Sequence, residues 1–180
     1  HLKLASTMSE VKKTLNNNEV LVDGKRRKDH RYLIGLFDVL KIAGKSYRIL
    51  FDKKGRIMVS EISEKESTIK PCKILGKTAL GKDKIQFNLH DGKNLIVNVD
   101  AKVGDTLLLK IPQQEVIETL PLKKGATVFL TKGKHSGDVG VFKEIKKEEA
   151  IYSKDNQDIE TAKEYLFVIG KEKALLEIKN

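Results

Sequence analysis

Tyr47-Arg48-Ile49-Leu50-Phe51-Asp52-Lys53-Lys54-Gly55-Arg56-Ile57-Met58-Val59-Ser60-Glu61-Ile62 is the stretch that decides the fold class. Two alternating, β-branched and aromatic segments flank a polar Asp-Lys-Lys-Gly tetrapeptide, which is the signature of a β-hairpin. Ser63–Ile69 follows as a helical turn. Downstream, further strands are expected at Lys73–Leu75, Ile85–Leu89, Leu95–Val99 and Thr106–Ile111, with turns at Gly81, Asp91-Gly92 and Gly104-Asp105. Short strands at intervals of about ten residues, punctuated by glycine, describe a small barrel or sandwich.

Upstream of the hairpin the pattern differs. Ser9–Leu15 reads as a short helix, with Ser9 as its cap and Val11 and Leu15 on one face, ended by Asn16-Asn17-Asn18. Val20-Leu21-Val22 is a short strand, and Asp23-Gly24 a tight turn in which glycine supplies the positive φ. Leu36, Val39, Leu40 and Ile42 are the expected buried positions of the next segment. Beyond residue 120, Gly125 through Ile145 forms another glycine-punctuated β unit. Lys146–Glu164 is so polar that a loop is expected, before strands at Tyr165–Ile169 and Ala174–Ile178. The fold class is therefore α+β and mostly β. The expected modules are residues 1–43, 44–120 and 121–180.

Charge narrows the function. Among 180 residues, 35 Lys+Arg face 25 Asp+Glu, giving a net charge of +10 and a pI near 9.5. Residues 1–40, 41–120 and 121–180 carry 8, 15 and 12 basic against 5, 10 and 10 acidic side chains, so the excess is not confined to a tail. Such a balance attracts polyanions. No run of 18 apolar residues exists to cross a membrane as a helix. One cysteine, Cys72, forms no internal disulfide and no multi-cysteine metal site.

The densest basic cluster is Lys25-Arg26-Arg27-Lys28, with His30 and Arg31, directly after the Asp23-Gly24 turn. Lysine and arginine there neutralise phosphates and release counterions, and arginine adds bidentate contacts and stacking. Lys12 and Lys13 lie on the preceding helix, and Lys132, Lys134 and His135 on a later glycine-rich loop. His90-Asp91-Gly92 is read as turn chemistry, because adjacent strand residues point to opposite faces and no nucleophile or metal-ligand pattern completes a site. The glycines at 133, 137 and 140 match neither a dinucleotide fingerprint nor a Walker loop. No catalytic residue, metal, cofactor or small-molecule substrate is expected.

Several segments in consistent order resemble the small-subunit ribosomal protein family S4e. They are Glu19–Lys25 with Asp29 and Gly35-Leu36-Phe37-Asp38-Val39; Tyr47-Arg48, Phe51-Asp52 and Lys54-Gly55-Arg56; His90-Asp91-Gly92; Val103-Gly104-Asp105-Thr106; and Leu166–Lys171. The resemblance implies three modules. The first is similar to the alpha-L RNA-binding motif, the second is a family-specific β domain, and the third is an SH3-like barrel of the KOW type, carried by Gly125–Ile145. It further implies a cytoplasmic constituent of the small ribosomal subunit that contacts ribosomal RNA and neighbouring ribosomal proteins. Leu2-Lys3-Leu4-Ala5 reads as the end of the first alpha-L helix, so a chain truncated at its N-terminus is expected. The lack of a long C-terminal tail favours an archaeal-type member. A transcription-associated KOW adapter and an RNA-modifying enzyme fragment are the alternatives to be tested.

Overall fold

The computed structural model describes residues 2, 4–52, 54–81, 84–147 and 149–176. It is mostly β, with one α-helix and three antiparallel five-stranded sheets among the described residues.

The helix α1 (Met8–Asn17) takes in Ser9, the expected cap, as its second residue. Thr7 is the cap: its hydroxyl accepts from the Glu10 amide at 3.3 Å, while the Glu10 carboxylate accepts from the amides of Ser6 (2.8 Å) and Thr7 (3.3 Å). This reciprocal capping box satisfies donors that a helix start leaves unpaired. Asn16 and Asn17 complete the last turn, and Asn18 ends the helix.

The first sheet has the order β2-β1-β3-β4-β5, from β1 (Leu21–Val22), β2 (Lys25–Arg26), β3 (Val39–Ile42), β4 (Lys45–Phe51) and β5 (Ile57–Ile62). The β4–β5 pairing, Leu50 opposite Met58 and Phe51 opposite Ile57, is the hairpin read from the sequence. The expected module boundary at 43/44 falls in the β3–β4 turn, inside this sheet. Of the four apolar positions expected to be buried, Val39 and Ile42 are, whereas Leu36 and Leu40 are partly covered.

The second sheet, order β10-β9-β6-β7-β8, comprises β6 (Ile69–Gly81), β7 (Lys84–Leu89), β8 (Asn94–Ile96), β9 (Thr106–Lys110) and β10 (Glu115–Leu120). β6 is far longer than the expected Lys73–Leu75. It pairs with β9 through Lys73, then runs on with β7 alone. β10 lies outside every segment expected to be extended. Its alternation of exposed Glu115 and Ile117 with half-covered Val116 and Glu118 is that of an edge strand. Cys72, Ile74, Phe87, Leu89, Leu107 and Leu109 form this sheet's core.

The third sheet, order β14-β13-β12-β11-β15, contains β11 (Thr127–Leu130), β12 (Val139–Lys146), β13 (Glu149–Lys154), β14 (Gln157–Ala162) and β15 (Leu166–Gly170). Here the sequence reading needs correction. Lys146–Glu164 is not a loop but holds the β13–β14 hairpin, with six consecutive cross-strand pairs from Glu149↔Ala162 to Lys154↔Gln157. Ala150, Ile151 and Tyr152 are buried, while β14 is an edge strand with a mostly polar, solvated surface. Few apolar residues suffice when one strand is an edge. Ala174–Leu176 form no strand, and the remainder of the expected Ala174–Ile178 segment lies outside the described residues. Phe37 and Leu50 of the first unit pack with Phe129, Phe167 and Ile169 of the third, so a shared apolar core joins the two. Phe37 lies with its ring centroid 4.7 Å from Phe167 and 5.4 Å from Phe129.

Candidate nucleic-acid interface

The basic cluster sits on and beyond the β1–β2 turn. Asp23 and Gly24 both adopt positive φ, 49° and 74°, as a tight two-residue hairpin requires. Gly24 is also pressed on the second unit: a Cβ there would lie 2.9 Å from Cβ of Pro112. Lys25, Arg26, Lys28 and Arg31 are exposed. Arg26 donates to the carbonyl of Asn16 at 3.4 Å, tethering the end of α1, which carries exposed Lys12 and Lys13, to the hairpin. Arg27 is placed differently. It is half-buried, with its guanidinium 4.1 Å from the Tyr32 ring centroid and its amide donating to the Val20 carbonyl. That stacking shapes the loop. His30 is half-buried, its Nδ1 3.7 Å from Asp29, and the Arg31 amide donates to Asp29 at 2.9 Å.

What holds this turn in place is a buried ionic network that the sequence did not reveal. Lys70 on β6, 1% exposed, directs its ammonium to Asp23 (2.7 Å), Asp38 (2.5 Å) and Asp91 (2.9 Å). Lys93 adds contacts to Asp23 (2.9 Å) and Asp91 (3.0 Å). Burial works against the charges of Lys70, Lys93, Asp23 and Asp91, yet the opposed signs win. Lys70 is held well above the ordinary lysine range by Asp23 and Asp38, and Asp91 well below the ordinary carboxylate range by Lys70 and Lys93. Asp23 is lowered too, its burial outweighed by the same lysines. The remaining acceptors are also used: Asp23 takes the Val39 amide and Asp38 the Gly35 amide. The basic hairpin is therefore locked to the second sheet through Asp23, the residue that makes the turn.

The loop between β11 and β12 carries the second group of expected residues. Lys132 and Lys134 are exposed, and His135 is half-covered with its Nδ1 3.5 Å from Asp138, which Lys154 also engages at 2.6 Å. Nearby, Lys73 is buried and donates to the carbonyls of Glu164 (2.6 Å) and Leu166 (2.7 Å), linking the second sheet to the third. Burial pushes its ammonium down to about 8, Glu164 opposing and the Lys132 and Lys163 charges reinforcing the shift.

No catalytic arrangement emerges among the described residues. Burial pushes the Cys72 thiol up to about 12, so it is not a nucleophilic thiolate at neutral pH. His90 is lowered by burial, bonds the Leu36 carbonyl through Nε2 at 3.2 Å and packs edge-on against Phe167, joining three units. Cys72, His90 and Asp91, and Asp23, Asp38 and Asp91, each bring three potential metal ligands together. The second set already surrounds the Lys70 ammonium. In the first, Asp91 is occupied by two lysines whose charges oppose a cation.

Comparison with known proteins accords with this architecture. The chain is 42% identical to the small ribosomal subunit protein eS4 of Methanosphaera stadtmanae over 98% of its own length and 77% of the relative's. The chain belongs to the ribosomal protein family S4e. The family model for S4e matches residues 43–116, the segment that begins at the β3–β4 turn and runs into β10. The eS4 of Methanocaldococcus jannaschii is 37% identical over 98% of this chain and 79% of the relative. Among solved structures, the 30S ribosomal protein S4e of Thermoplasma acidophilum matches with a TM-score of 0.83 and 28% identity, covering 94% of this chain and 90% of that one. S4e is a family of ribosomal proteins, not of enzymes, and these relatives are archaeal.

Proposed function

We propose that this S4e protein is a structural constituent of the cytoplasmic small ribosomal subunit that binds ribosomal RNA and thereby supports translation. The observation that carries the reading is the β1–β2 hairpin. It presents exposed Lys25, Arg26, Lys28 and Arg31 from a turn anchored by the buried Lys70–Asp23 pair. Rigid presentation of cations suits phosphate contacts, since little ordering entropy remains to be lost on binding. Lys12 and Lys13 add charge from the tethered helix, and Lys132, Lys134 and His135 from the third sheet. In this reading residues 1–43 are the RNA-binding module, whose sheet the β4–β5 hairpin completes. Residues 44–120 form the family-specific β domain, and 121–180 the KOW-type barrel. Neighbouring ribosomal proteins are its other partners.

Contacts of this kind position the protein without reading base sequence. Selectivity then follows from the shape of folded RNA. Sucrose-gradient fractionation of native extract tests the assignment. The protein is expected to sediment with the small subunit, and recovery only in the free fractions would contradict it.

A further inference from the structure

Two turns from different sheets meet on the surface. In the β4–β5 turn, Asp52 accepts from the amides of Lys54 (2.8 Å) and Arg56 (2.9 Å), and from Nε of Arg56 (2.8 Å). These bonds hold Lys54 and Arg56 to Asp52, and both residues are exposed. Against it lies the β11–β12 loop. Gly137 has φ +86°, and a Cβ at this position would collide with the carbonyl of Asp52, so the two backbones touch directly. A Cβ on Gly55 would sit 3.6 Å from the Ser136 side chain. The loop is fixed on its other side as well, the Thr131 amide donating to the Tyr165 carbonyl at 2.9 Å and Gly133 lying against the Tyr165 ring.

The exposed charges of the two loops are of one sign, although Arg56 is paired with Asp52. Lys54, Arg56, Lys132 and Lys134 are exposed. The adjoining carboxylates are already engaged: Asp52 by Arg56, and Asp138 by Lys154 and His135. No exposed carboxylate intervenes within residues 131–138, and none within the described part of the β4–β5 turn, 54–56. Four cations on two mutually braced loops suit a repeating anionic backbone better than a point ligand.

We propose that the β4–β5 turn and the β11–β12 loop together form a second, composite surface for the phosphate backbone of ribosomal RNA, separate from the β1–β2 hairpin. The proposal rests on the RNA-binding reading and adds Lys54 and Arg56 to it. It makes the Gly137–Asp52 contact the hinge pin of the surface.

The test uses the full chain and a transcript of archaeal small-subunit ribosomal RNA, with binding measured across a salt titration. Variants are Lys54→Gln/Arg56→Gln, Lys132→Gln/Lys134→Gln, both pairs combined, Gly137→Ala, and a hairpin control Lys25→Gln/Arg26→Gln/Lys28→Gln. With a slope near 0.7 per phosphate, each contact is worth about fourfold in affinity at 0.15 M salt relative to 1 M, so each pair should weaken binding about fifteenfold. The slope should flatten by about 1.4 per pair. Gly137→Ala should weaken binding without removing any charge. If the hairpin control loses affinity while both turn pairs bind like wild type, the composite surface is refuted and the RNA-binding reading stands. If no variant changes binding, both fall. A folded Gly137→Ala protein with wild-type affinity refutes the joint geometry. Unchanged RNA affinity of the combined variant, with loss of binding to polyglutamate, would give the surface to an acidic protein and overturn the proposal.

Discussion

Replacing Lys70 by methionine removes the ammonium at the centre of the ionic network while keeping most of the side-chain volume. The neighbouring geometry sets how much is lost. Lys93, with a third of its side chain exposed, still reaches Asp23 and Asp91 at 2.9 and 3.0 Å. Asp23 also keeps the Val39 amide. Among the described residues Asp38 meets no second cation, and its other oxygen accepts from the Gly35 amide. Breaking a buried ion pair from one side costs about 3–5 kcal/mol, because the remaining charge stays buried. The partial cover from Lys93 argues for the lower end, about 3 kcal/mol, a large share of a typical stability of roughly 5–15 kcal/mol. Adding Asp38→Asn should recover about 1–2 kcal/mol by removing the most poorly compensated carboxylate. Urea unfolding followed by circular dichroism measures both.

The pH dependence has a definite sign. Asp23 and Asp91 are lowered in the fold, so their contribution is present above the ordinary aspartate value and lost as pH falls through their folded values. Lys70 is raised, so its contribution is complete below the ordinary lysine value and lost only as pH rises beyond it. The wild-type network is therefore level between about pH 5 and 10. In Lys70→Met the carboxylates lose their counter-ion, and protonating them relieves the penalty. The gap to wild type should narrow between pH 7 and about pH 4. A variant within about 1 kcal/mol of wild type at pH 7, or a deficit that does not change with pH, would refute the argument.

Two other groups give independent checks. The Lys73 ammonium should titrate near 8 by nitrogen-detected NMR, and stability from this residue should rise with pH from about 8 towards the ordinary lysine value, because the unfolded chain there binds the extra proton. A midpoint near the ordinary lysine value would contradict the buried placement. Cys72, buried with its thiol pushed up to about 12, should resist iodoacetamide at pH 8 in the folded protein and react readily in urea. Equal rates in the two states would show that the thiol is accessible.

The sequence carried the local chemistry of the fold well and its long-range chemistry poorly. The Asp23-Gly24 turn and the β4–β5 hairpin follow from glycine placement and alternation over a few residues, and β15 from a short continuous apolar run. The β13–β14 hairpin was hidden because β14 buries little, leaving a strand whose composition resembles a loop. The site shows the same division. The basic cluster at Lys25–Arg31 is contiguous and therefore visible. Its anchor is not, because Lys70 meets Asp23 across 47 residues and Asp38 across 32. Lys70 is one of three lysines on β6, and nothing in the sequence marks it as the one that will meet three carboxylates. Asp91, read as part of a turn, does form one, and it also closes the network. Gly137 likewise looks like an ordinary turn glycine until the Asp52 backbone is placed beside it.

On the proposed reading, exposed cations on the anchored hairpin bind ribosomal RNA through its phosphates. The most direct measurement is the dependence of log affinity on log salt for small-subunit ribosomal RNA, compared between wild type and Lys25→Gln/Arg26→Gln/Lys28→Gln. Weaker binding is expected, with a slope flatter by about 2, from three contacts at roughly 0.7 each. An unchanged affinity and slope in a correctly folded variant would contradict it.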